Sequence, residues 1–138
     1  MNQPGILLDT GPLVALLSRN DANHARAARV FADSAPPFRT CEAVLAEACF
    51  LMRKVDLAGP TEVLALGRKG VYAIAIGLTD QSTAVGALLR KYADRPISLA
   101  DACLIRCAEI HDEPRVFSFD SDFRVYRWAR NRKFDLVR

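Results

Sequence analysis

Four acidic side chains lie in segments that are otherwise apolar, where a carboxylate is costly to bury. Asp9 and Asp120 each follow directly after a short apolar run. Glu47 and Asp101 each interrupt one, and neither has a Lys or Arg three or four residues away. A carboxylate that is buried without a partner costs several kcal/mol. These acids therefore lie at the rim of the core, or they surround a cation that neutralises them.

The chemistry that such acids can perform depends on the cation that they would hold. A set of oxygen ligands without His or Cys favours hard divalent ions, which here means Mg²⁺ or Mn²⁺. Two such ions about 4 Å apart activate water and stabilise both oxygens of an in-line phosphodiester displacement. The residue types alone therefore predict metal-dependent phosphoryl chemistry.

Three of the four acids also fit a purely structural role at the start of a helix. Asp9 precedes a helix that is predicted to begin near Pro12, and Asp120 precedes another predicted helix. Asp101 is the fourth residue of a Ser98-x-x-Asp101 spacing, which is typical of a capping box. A carboxylate at such a position accepts backbone N–H groups and needs no metal. The remaining acid, in the middle of its apolar segment, has no such explanation.

Length and composition predict one globular domain spanning residues 1–138. The chain has 138 residues, of which 51% are hydrophobic and 25% are charged, which excludes a disordered chain. It is too short for a (β/α)₈ barrel, which needs about 250 residues. No apolar run approaches the roughly 18 residues of a membrane span, and no basic residue precedes the first apolar run. We expect a cytoplasmic protein.

Short apolar strands alternate with helical segments along the chain. Strands are predicted at residues 6–8, 38–40, 71–76, 116–119 and 134–137, and helices at residues 12–17, 24–35, 41–55, 60–69, 79–93, 98–112 and 121–128. This alternation predicts an α/β fold with a central, mostly parallel sheet flanked by helices. The run at 71–76 is apolar throughout, which is typical of a strand buried on both faces. Along 24–35 we expect the inward face to consist of Ala25, Ala28, Phe31 and Ala32.

The predicted fold gives a reason for the four acids to meet. Ligands of open α/β sheets bind beyond the carboxyl ends of the strands. Asp9 and Asp120 stand at that edge, and Asp101 can reach it from the start of its helix. Glu47 has to project there from the side of its helix.

All four cysteines lie in segments that are predicted to be apolar helix, and we expect them to stay reduced. Cys103, Cys107 and His111 are spaced so that they share one helix face. Two interpretations are open: a buried stripe that includes Leu99 and Ile110, which is favoured, or a site for a soft metal.

Four motifs surround the acids: Ile6-Leu7-Leu8-Asp9-Thr10, Val44-Leu45-Ala46-Glu47, Ser98-Leu99-Ala100-Asp101-Ala102 and Ser118-Phe119-Asp120-Ser121-Asp122-Phe123. Successive acids are 38, 54 and 19 residues apart. In content and order these motifs resemble those of the PIN-domain ribonucleases, especially the VapC-type toxins of bacterial toxin–antitoxin pairs. The resemblance extends over essentially the whole chain.

The resemblance implies an acidic pocket that binds Mg²⁺ or Mn²⁺ and a water that attacks an RNA phosphodiester. Carried over by position, the catalytic pocket consists of Asp9, Glu47, Asp101 and Asp120. Asp9 and Asp101 would be the direct metal ligands, with Glu47 and Asp120 also in the metal-binding set. Asp122 joins that set because it matches a position where some members carry another acid.

The resemblance also implies supporting residues and protein partners. The hydroxyl of Thr10 would support the first carboxylate of the pocket, and Ser118 stands where the family more often has Thr. The protein would be a homodimer. A small antitoxin would cover the active site and insert an Arg or Lys among the carboxylates.

Basic residues near the end of the chain are candidates for binding RNA. The net charge is only +3, but without the five acids of the proposed pocket 19 bases face 11 acids. Arg124, Arg127 and Arg130 recur every third residue of the helix predicted at 121–128 and just beyond it, and Tyr126 and Trp128 between them offer surfaces for stacking on unpaired bases. The alternative is an ordinary solvated face whose aromatic residues turn into the core.

Three other functions compete with the nuclease toxin. A haloacid-dehalogenase-like phosphatase also begins with an Asp at a strand end, but it needs a second Asp two residues later, where this chain has Gly11. A non-catalytic binding module with the same fold is disfavoured because the full acidic set is present. A PIN-fold nuclease of RNA processing, outside any toxin–antitoxin pair, stays open.

Overall fold

The chain folds around a five-stranded sheet in which neighbouring strands run parallel. The computed structural model describes residues 3–138. The strands of this sheet are β1 (Leu7–Leu8), β2 (Phe38–Thr40), β3 (Tyr72–Ile74), β4 (Arg115–Phe117) and β7 (Asp135–Val137). A separate antiparallel hairpin consists of β5 (Arg127–Trp128) and β6 (Arg132–Lys133). The order across the large sheet is β3-β2-β1-β4-β7.

Helices flank this sheet, as the sequence predicts. They are α1 (Thr10–Leu17), α2 (His24–Asp33), α3 (Glu42–Arg53), α4 (Gly59–Arg68), α5 (Leu78–Lys91) and α6 (Leu99–His111). Helix α3 packs against α1 and α4, whereas α5 packs against α6. Helix α6 also contacts β1 and β2, so the helix that carries Asp101 lies against the centre of the sheet. The predicted α/β fold with a central parallel sheet is confirmed.

The central strand β1 determines where the first acid lies. Leu7 and Leu8 are fully buried, and β1 is paired with β2 on one side and β4 on the other. Leu8 is in register with Phe117, and the N–H of Asp9 donates to the carbonyl of Phe117 at 3.0 Å. The residues that follow β1 and β4 are therefore neighbours at one edge of the sheet.

Two aromatic clusters fill much of the core. Phe31, Phe38 and Phe117 pack with ring centroids 4.8 to 6.2 Å apart, which joins α2 to strands β2 and β4. The second cluster consists of Tyr92, Phe123, Tyr126, Trp128 and Phe134. Through Tyr92, this second cluster packs the segment that follows β4 against the C-terminal end of α5.

The prediction of a doubly buried strand at residues 71–76 is wrong. Strand β3 is shorter and forms an edge of the sheet, and Ile74 is 42% exposed. An apolar run of this length does not distinguish a central strand from an edge strand, because that difference depends on which strand pairs beside it.

The prediction of a helix at residues 121–128 is also wrong. Residues Ser121–Arg124 form a single 3₁₀ turn, and the β5–β6 hairpin follows. Tyr126 and Trp128 are both buried while Val125 is exposed, and burial at alternate positions is the period of a strand. The hairpin turns through Ala129, Arg130 and Asn131, all of which have positive φ.

The predicted inward face of α2 is rotated from the observed one. Ala27 and Val30 are its buried residues, whereas Ala25 and Ala32 are exposed. Phe31 is half-buried against the first aromatic cluster. The helix packs against α1, and the carbonyl of Ala15 in α1 lies 2.8 Å from a His24 ring nitrogen.

The thiols on one face of α6 are buried, which confirms the favoured interpretation of a buried stripe. Cys103 and Cys107 are buried, but Leu99 and Ile110 are 43% and 40% exposed, so their assignment to this stripe is wrong. The His111 Nε2 lies 2.8 Å from the carbonyl of Ala75. Burial raises the pKa of Cys107 to about 12, which opposes the thiolate that a soft metal needs.

No helix within residues 3–138 combines the length and hydropathy that a transmembrane segment requires.

Replacing Phe117 tests the central position of β4 in the core. Phe117→Ala is expected to lower the free energy of unfolding by about 3–5 kcal/mol, because the ring is fully buried. Phe50→Ala is the matched control, since that ring is 65% exposed, and we expect a change of about 0.5 kcal/mol. Urea denaturation measures both. Equal losses would contradict the core assignment of Phe117.

Candidate active site

One pocket at the carboxyl ends of β1 and β4 brings the predicted acids together. Its volume is about 460 Å³. Five carboxylates line it, namely Asp9, Glu47, Asp101, Asp120 and Asp122, and the rest of the lining is Gly11, Pro96, Ser98 and Phe119. Residues as far apart in the chain as 9 and 122 thus share one cleft, at the edge of the sheet where α/β proteins bind ligands.

Asp9 is a buried carboxylate that is held from two sides. Its Oδ1 accepts the N–H of Thr10 at 2.8 Å, and its Oδ2 accepts the hydroxyl of Ser118 at 2.6 Å. Burial raises the pKa of Asp9 from 3.8 to about 6 against these two hydrogen bonds, and the charges of Asp101 and Asp120 raise it further. The predicted helix cap is therefore real, yet it does not supply enough stabilisation to keep this acid at its ordinary pKa.

Asp101 occupies the first turn of α6 and completes the predicted capping box. Its N–H donates to the hydroxyl of Ser98 at 3.0 Å, and its Oδ2 lies 3.5 Å from the N–H of Ser98. The same Oδ2 accepts the hydroxyl of Tyr126 at 3.0 Å. Burial raises the pKa of Asp101 despite these hydrogen bonds, and the charges of Asp120 and Glu47 act in the same direction. The capping role leaves Asp101 facing the pocket.

Glu47 reaches the pocket from the side of α3 and is exposed. The hydroxyl of Thr10 donates to its Oε2 at 3.0 Å. The predicted role of this hydroxyl is therefore wrong: it holds Glu47, while the backbone N–H of Thr10 holds Asp9. The apolar neighbours of Glu47 include Phe50 and Leu51, which are exposed. Glu47 thus lies at the rim of the core.

The fourth motif supplies Asp120 and Asp122 at the mouth of the pocket. The hydroxyl of Ser118 accepts the N–H of Asp120 at 2.9 Å, and Asp120 Oδ1 accepts the N–H of Asp122 at 2.9 Å. Asp122 also forms an ion pair with Arg95, whose Nη2 lies 3.5 Å from Asp122 Oδ1. Ser118 therefore links the two strand ends, because it donates to Asp9 and accepts from the backbone beside it.

The chemistry of the donors fits a hard divalent ion that keeps much of its water. Within residues 3–138, no three Asp, Glu, His or Cys side chains converge closely enough to coordinate one ion together. Mg²⁺ is commonly held by one or two carboxylates plus water and substrate phosphate. The all-oxygen lining of this pocket suits such an ion and does not suit a soft metal.

The basic residues predicted to bind RNA do not form one helical face. Arg124 and Arg130 are exposed, but the Arg127 Nη1 donates to the carbonyls of Arg124, Val125 and Tyr126 at 2.8 to 3.0 Å. The rings of Tyr126 and Trp128 are buried, so the predicted stacking surface is wrong. RNA binding by the three arginines stays a prediction.

Sequence reasoning missed the roles of three residues at the site, namely Tyr126, Arg95 and Phe119. Tyr126 donates a hydrogen bond to Asp101, and Arg95 forms an ion pair with Asp122, which is 27 residues later in the chain, so no rule of local spacing links the members of either pair. Phe119 lines the pocket between two motif residues, and the guanidinium of Arg26 lies 5.7 Å from the centre of its ring. The sequence signal for a role of Phe119 at the site is its position next to Asp120.

Comparison with known proteins decides the family. The family model described as PIN domain matches residues 6–129. The chain belongs to the PIN domain family. This match confirms the resemblance that the four motifs carry.

A solved structure shares the fold of this PIN domain. The crystal structure of VapC20 from Mycobacterium tuberculosis, described as a toxin that cleaves the sarcin–ricin loop, matches with a TM-score of 0.79. The match covers 91% of this chain and 97% of that chain, at 22% sequence identity. No curated protein matches the sequence significantly.

The raised pKa of Asp9 makes the stability of the metal-free PIN domain depend on pH. Between about pH 4 and pH 6 the folded protein keeps a proton that the unfolded chain releases, so the free energy of unfolding falls as the pH rises. The loss attributable to Asp9 is about 3 kcal/mol, and it is complete above about pH 6.

Asp9→Asn is expected to flatten this dependence, because the amide does not ionise. Urea denaturation in EDTA, repeated across this pH range, measures it. Asp94→Asn removes an exposed acid outside the pocket and serves as the control, for which we expect the profile of the parent protein. An equally steep profile in Asp9→Asn would show that burial of this carboxylate is not the cause.

Proposed function

We propose that this PIN domain, taken as one nuclease domain over residues 1–138, is an endoribonuclease that depends on Mg²⁺ or Mn²⁺. The observation that carries the proposal is the meeting of five carboxylates from all four motifs in one pocket. The raised pKa values of Asp9 and Asp101 support it, because acids perturbed by burial and by like charge in a cleft are typical of functional sites.

In this proposal Asp9 and Asp101 hold the metal, and Glu47, Asp120 and Asp122 complete the acidic pocket. A bound divalent ion would offset the carboxylate charges and polarise the phosphate of the substrate. Both proposed ligands are fixed by protein donors, which favours a preformed site. Neither depends on the substrate for its orientation.

The remaining acids suit proton transfer during hydrolysis. Glu47 is exposed, and the hydroxyl of Thr10 fixes one of its oxygens while the other has no donor within residues 3–138. A carboxylate held in this way can orient a water and accept its proton as the water attacks phosphorus. Asp120 is also exposed and is fixed through Oδ1, so it can perform the same task.

Arg95 is the basic residue best placed to meet the substrate. It pairs with Asp122 at the pocket, and its Nε is buried without a hydrogen-bond partner among the described residues. The Arg95 side chain as a whole is 31% exposed, so the charge of its guanidinium, rather than this buried Nε, would attract a phosphate of RNA. Arg124 and Arg130 follow Asp122 in the sequence and are exposed. In this proposal they add positive charge that attracts RNA.

We further propose that the nuclease is the toxin of a VapBC-type pair. The likeness to VapC20 supports this, and so does an apolar surface beside the site. A pocket lined by Ala46, Glu47, Phe50 and Leu51 adjoins the acidic pocket through Glu47, which lines both. A short antitoxin with an apolar segment and a following Arg or Lys would cover both pockets at once.

The proposed toxin acts in the cytoplasm as a homodimer. The four free cysteines support action in the cytoplasm, where thiols stay reduced. The homodimer is a prediction that the family resemblance alone supports.

Cleavage of RNA by the purified protein tests the enzymatic proposal. Total RNA incubated with the protein and Mg²⁺ or Mn²⁺ is expected to be cut, and EDTA is expected to abolish cutting. Asp9→Ala and Asp101→Asn should each lower the cleavage rate by about 10²-fold or more, because each removes a proposed ligand. Asp94→Asn should retain the rate of the parent. Cleavage that survives both EDTA and Asp9→Ala would contradict the mechanism.

Growth of bacteria that express the protein tests the toxin proposal. Expression should arrest growth, and Asp101→Asn should relieve the arrest. Co-expression of a small protein encoded immediately upstream should restore growth, and Phe50→Glu should weaken this rescue because it places a charge on the apolar surface. Leu78→Glu, an exposed leucine on α5, is the control. A nuclease that cuts RNA without arresting growth would favour a role in RNA processing.

A further inference from the structure

Asp101 depends on one close side-chain donor from outside its own helix. The hydroxyl of Tyr126 donates to Asp101 Oδ2 at 3.0 Å. The N–H of Ser98 also approaches Oδ2, but at 3.5 Å it lies at the limit of a hydrogen bond. Asp9 differs, because separate donors hold its two oxygens at 2.8 and 2.6 Å. The orientation of Asp101 is therefore set mainly by a single hydroxyl.

The hydrogen bond leaves one oxygen of Asp101 available to the pocket. Within residues 3–138, Oδ1 accepts no hydrogen bond, and the side chain lines the acidic pocket. A carboxylate that uses one oxygen for a protein donor presents the other to a cation at a fixed angle. Such outer partners set the orientation of metal ligands in proteins generally.

The ring of Tyr126 is itself held rigidly. It is fully buried and packs edge-on against Tyr92, at 5.0 Å between ring centroids, and against Phe123, at 5.3 Å. The hydroxyl of Tyr92 accepts the N–H of Arg127 at 2.9 Å, which fixes the backbone next to Tyr126. The hydroxyl of Tyr126 thus reaches Asp101 from a well-packed part of the core.

We propose that Tyr126 is a positioning residue, whose hydroxyl fixes the Asp101 carboxylate in the orientation that binds the divalent ion. The proposal rests on the proposed function, because it takes Asp101 to be a metal ligand. Tyr126 touches neither the substrate nor the metal, and it acts through Asp101. Tyr126 follows the 3₁₀ turn that contains Asp122, and its N–H donates to the carbonyl of Asp122 at 3.0 Å, which couples this acidic motif to the start of α6.

The Mn²⁺ affinity of the Tyr126→Phe variant tests the proposal. Electron paramagnetic resonance of free Mn²⁺ measures this affinity. This change keeps the buried ring and removes only the hydroxyl. We expect the affinity to fall by about 10- to 100-fold, the usual effect of losing an outer partner of a metal ligand. Tyr72→Phe is the matched control, because that buried hydroxyl donates to the carbonyl of Val63, away from the pocket. Its Mn²⁺ affinity should equal that of the parent.

The rate of RNA cleavage supplies a second readout. Tyr126→Phe should raise the Mn²⁺ concentration that gives half the maximal rate, while the KM for RNA at saturating Mn²⁺ stays unchanged. Urea denaturation without metal shows whether both tyrosine variants remain folded. A purely structural role would lower the stability of both variants and leave the affinity of the folded protein for Mn²⁺ unaltered.

The outcomes separate this proposal from the function on which it rests. Mn²⁺ binding that is lost in Asp101→Asn but unchanged in Tyr126→Phe would overturn the role of Tyr126 and leave the proposed function standing. Equal weakening in Tyr126→Phe and Tyr72→Phe would also overturn it, because looser packing would then be the cause. A parent protein that binds no Mn²⁺ and cuts no RNA would overturn the proposed function and the role of Tyr126 together.

Discussion

The parallel pairing of β1 with β4 forces a carboxylate and its hydrogen-bonding partner to the same buried edge of the sheet. Because Leu8 is in register with Phe117, the residues that follow these strands have to be neighbours. Asp9 lies there at the expense of hydration, and its raised pKa reflects that burial. The other acids of the pocket approach a position that is already unfavourable for negative charge. The whole site is therefore organised around the β1–β4 pair and the buried carboxylate that this pair places at the edge of the sheet.

Structural and chemical roles coincide in the same acids. Asp9 caps α1, Asp101 completes a capping box at the start of α6, and Asp120 caps the 3₁₀ turn after it. A cap requires a hydrogen-bond acceptor at the start of a helix, and where the helix follows a strand that position is also where an α/β sheet binds its ligands. The two interpretations of these acids are thus compatible. Helix capping secures one oxygen of each acid. The second oxygen of Asp9 accepts the hydroxyl of Ser118, whereas the second oxygens of Asp101 and Asp120 accept no hydrogen bond within residues 3–138.

Three hydroxyl groups from three different parts of the chain hold three of the five acids in the pocket. Ser118 donates to Asp9, Thr10 donates to Glu47, and Tyr126 donates to Asp101. A neutral donor steadies a carboxylate without adding the positive charge that a Lys or Arg would bring. These donors therefore leave the negative charge of the pocket uncompensated. Arg95, beside Asp122 at the mouth, is the exception.

The sequence by itself determined the alternating architecture, the four acids and the edge of the sheet where they meet, because those features follow from local periodicity and from motifs at chain positions. It did not determine the structure of residues 121–128, where burial of Tyr126 and Trp128 in the second aromatic cluster overrides the predicted helix. Only the tertiary structure decided that β3 is an edge strand, that the Thr10 hydroxyl serves Glu47, and that Tyr126 reaches Asp101. Each of these depends on contacts between residues far apart in the chain, and such contacts leave no signal in the spacing of neighbouring residues.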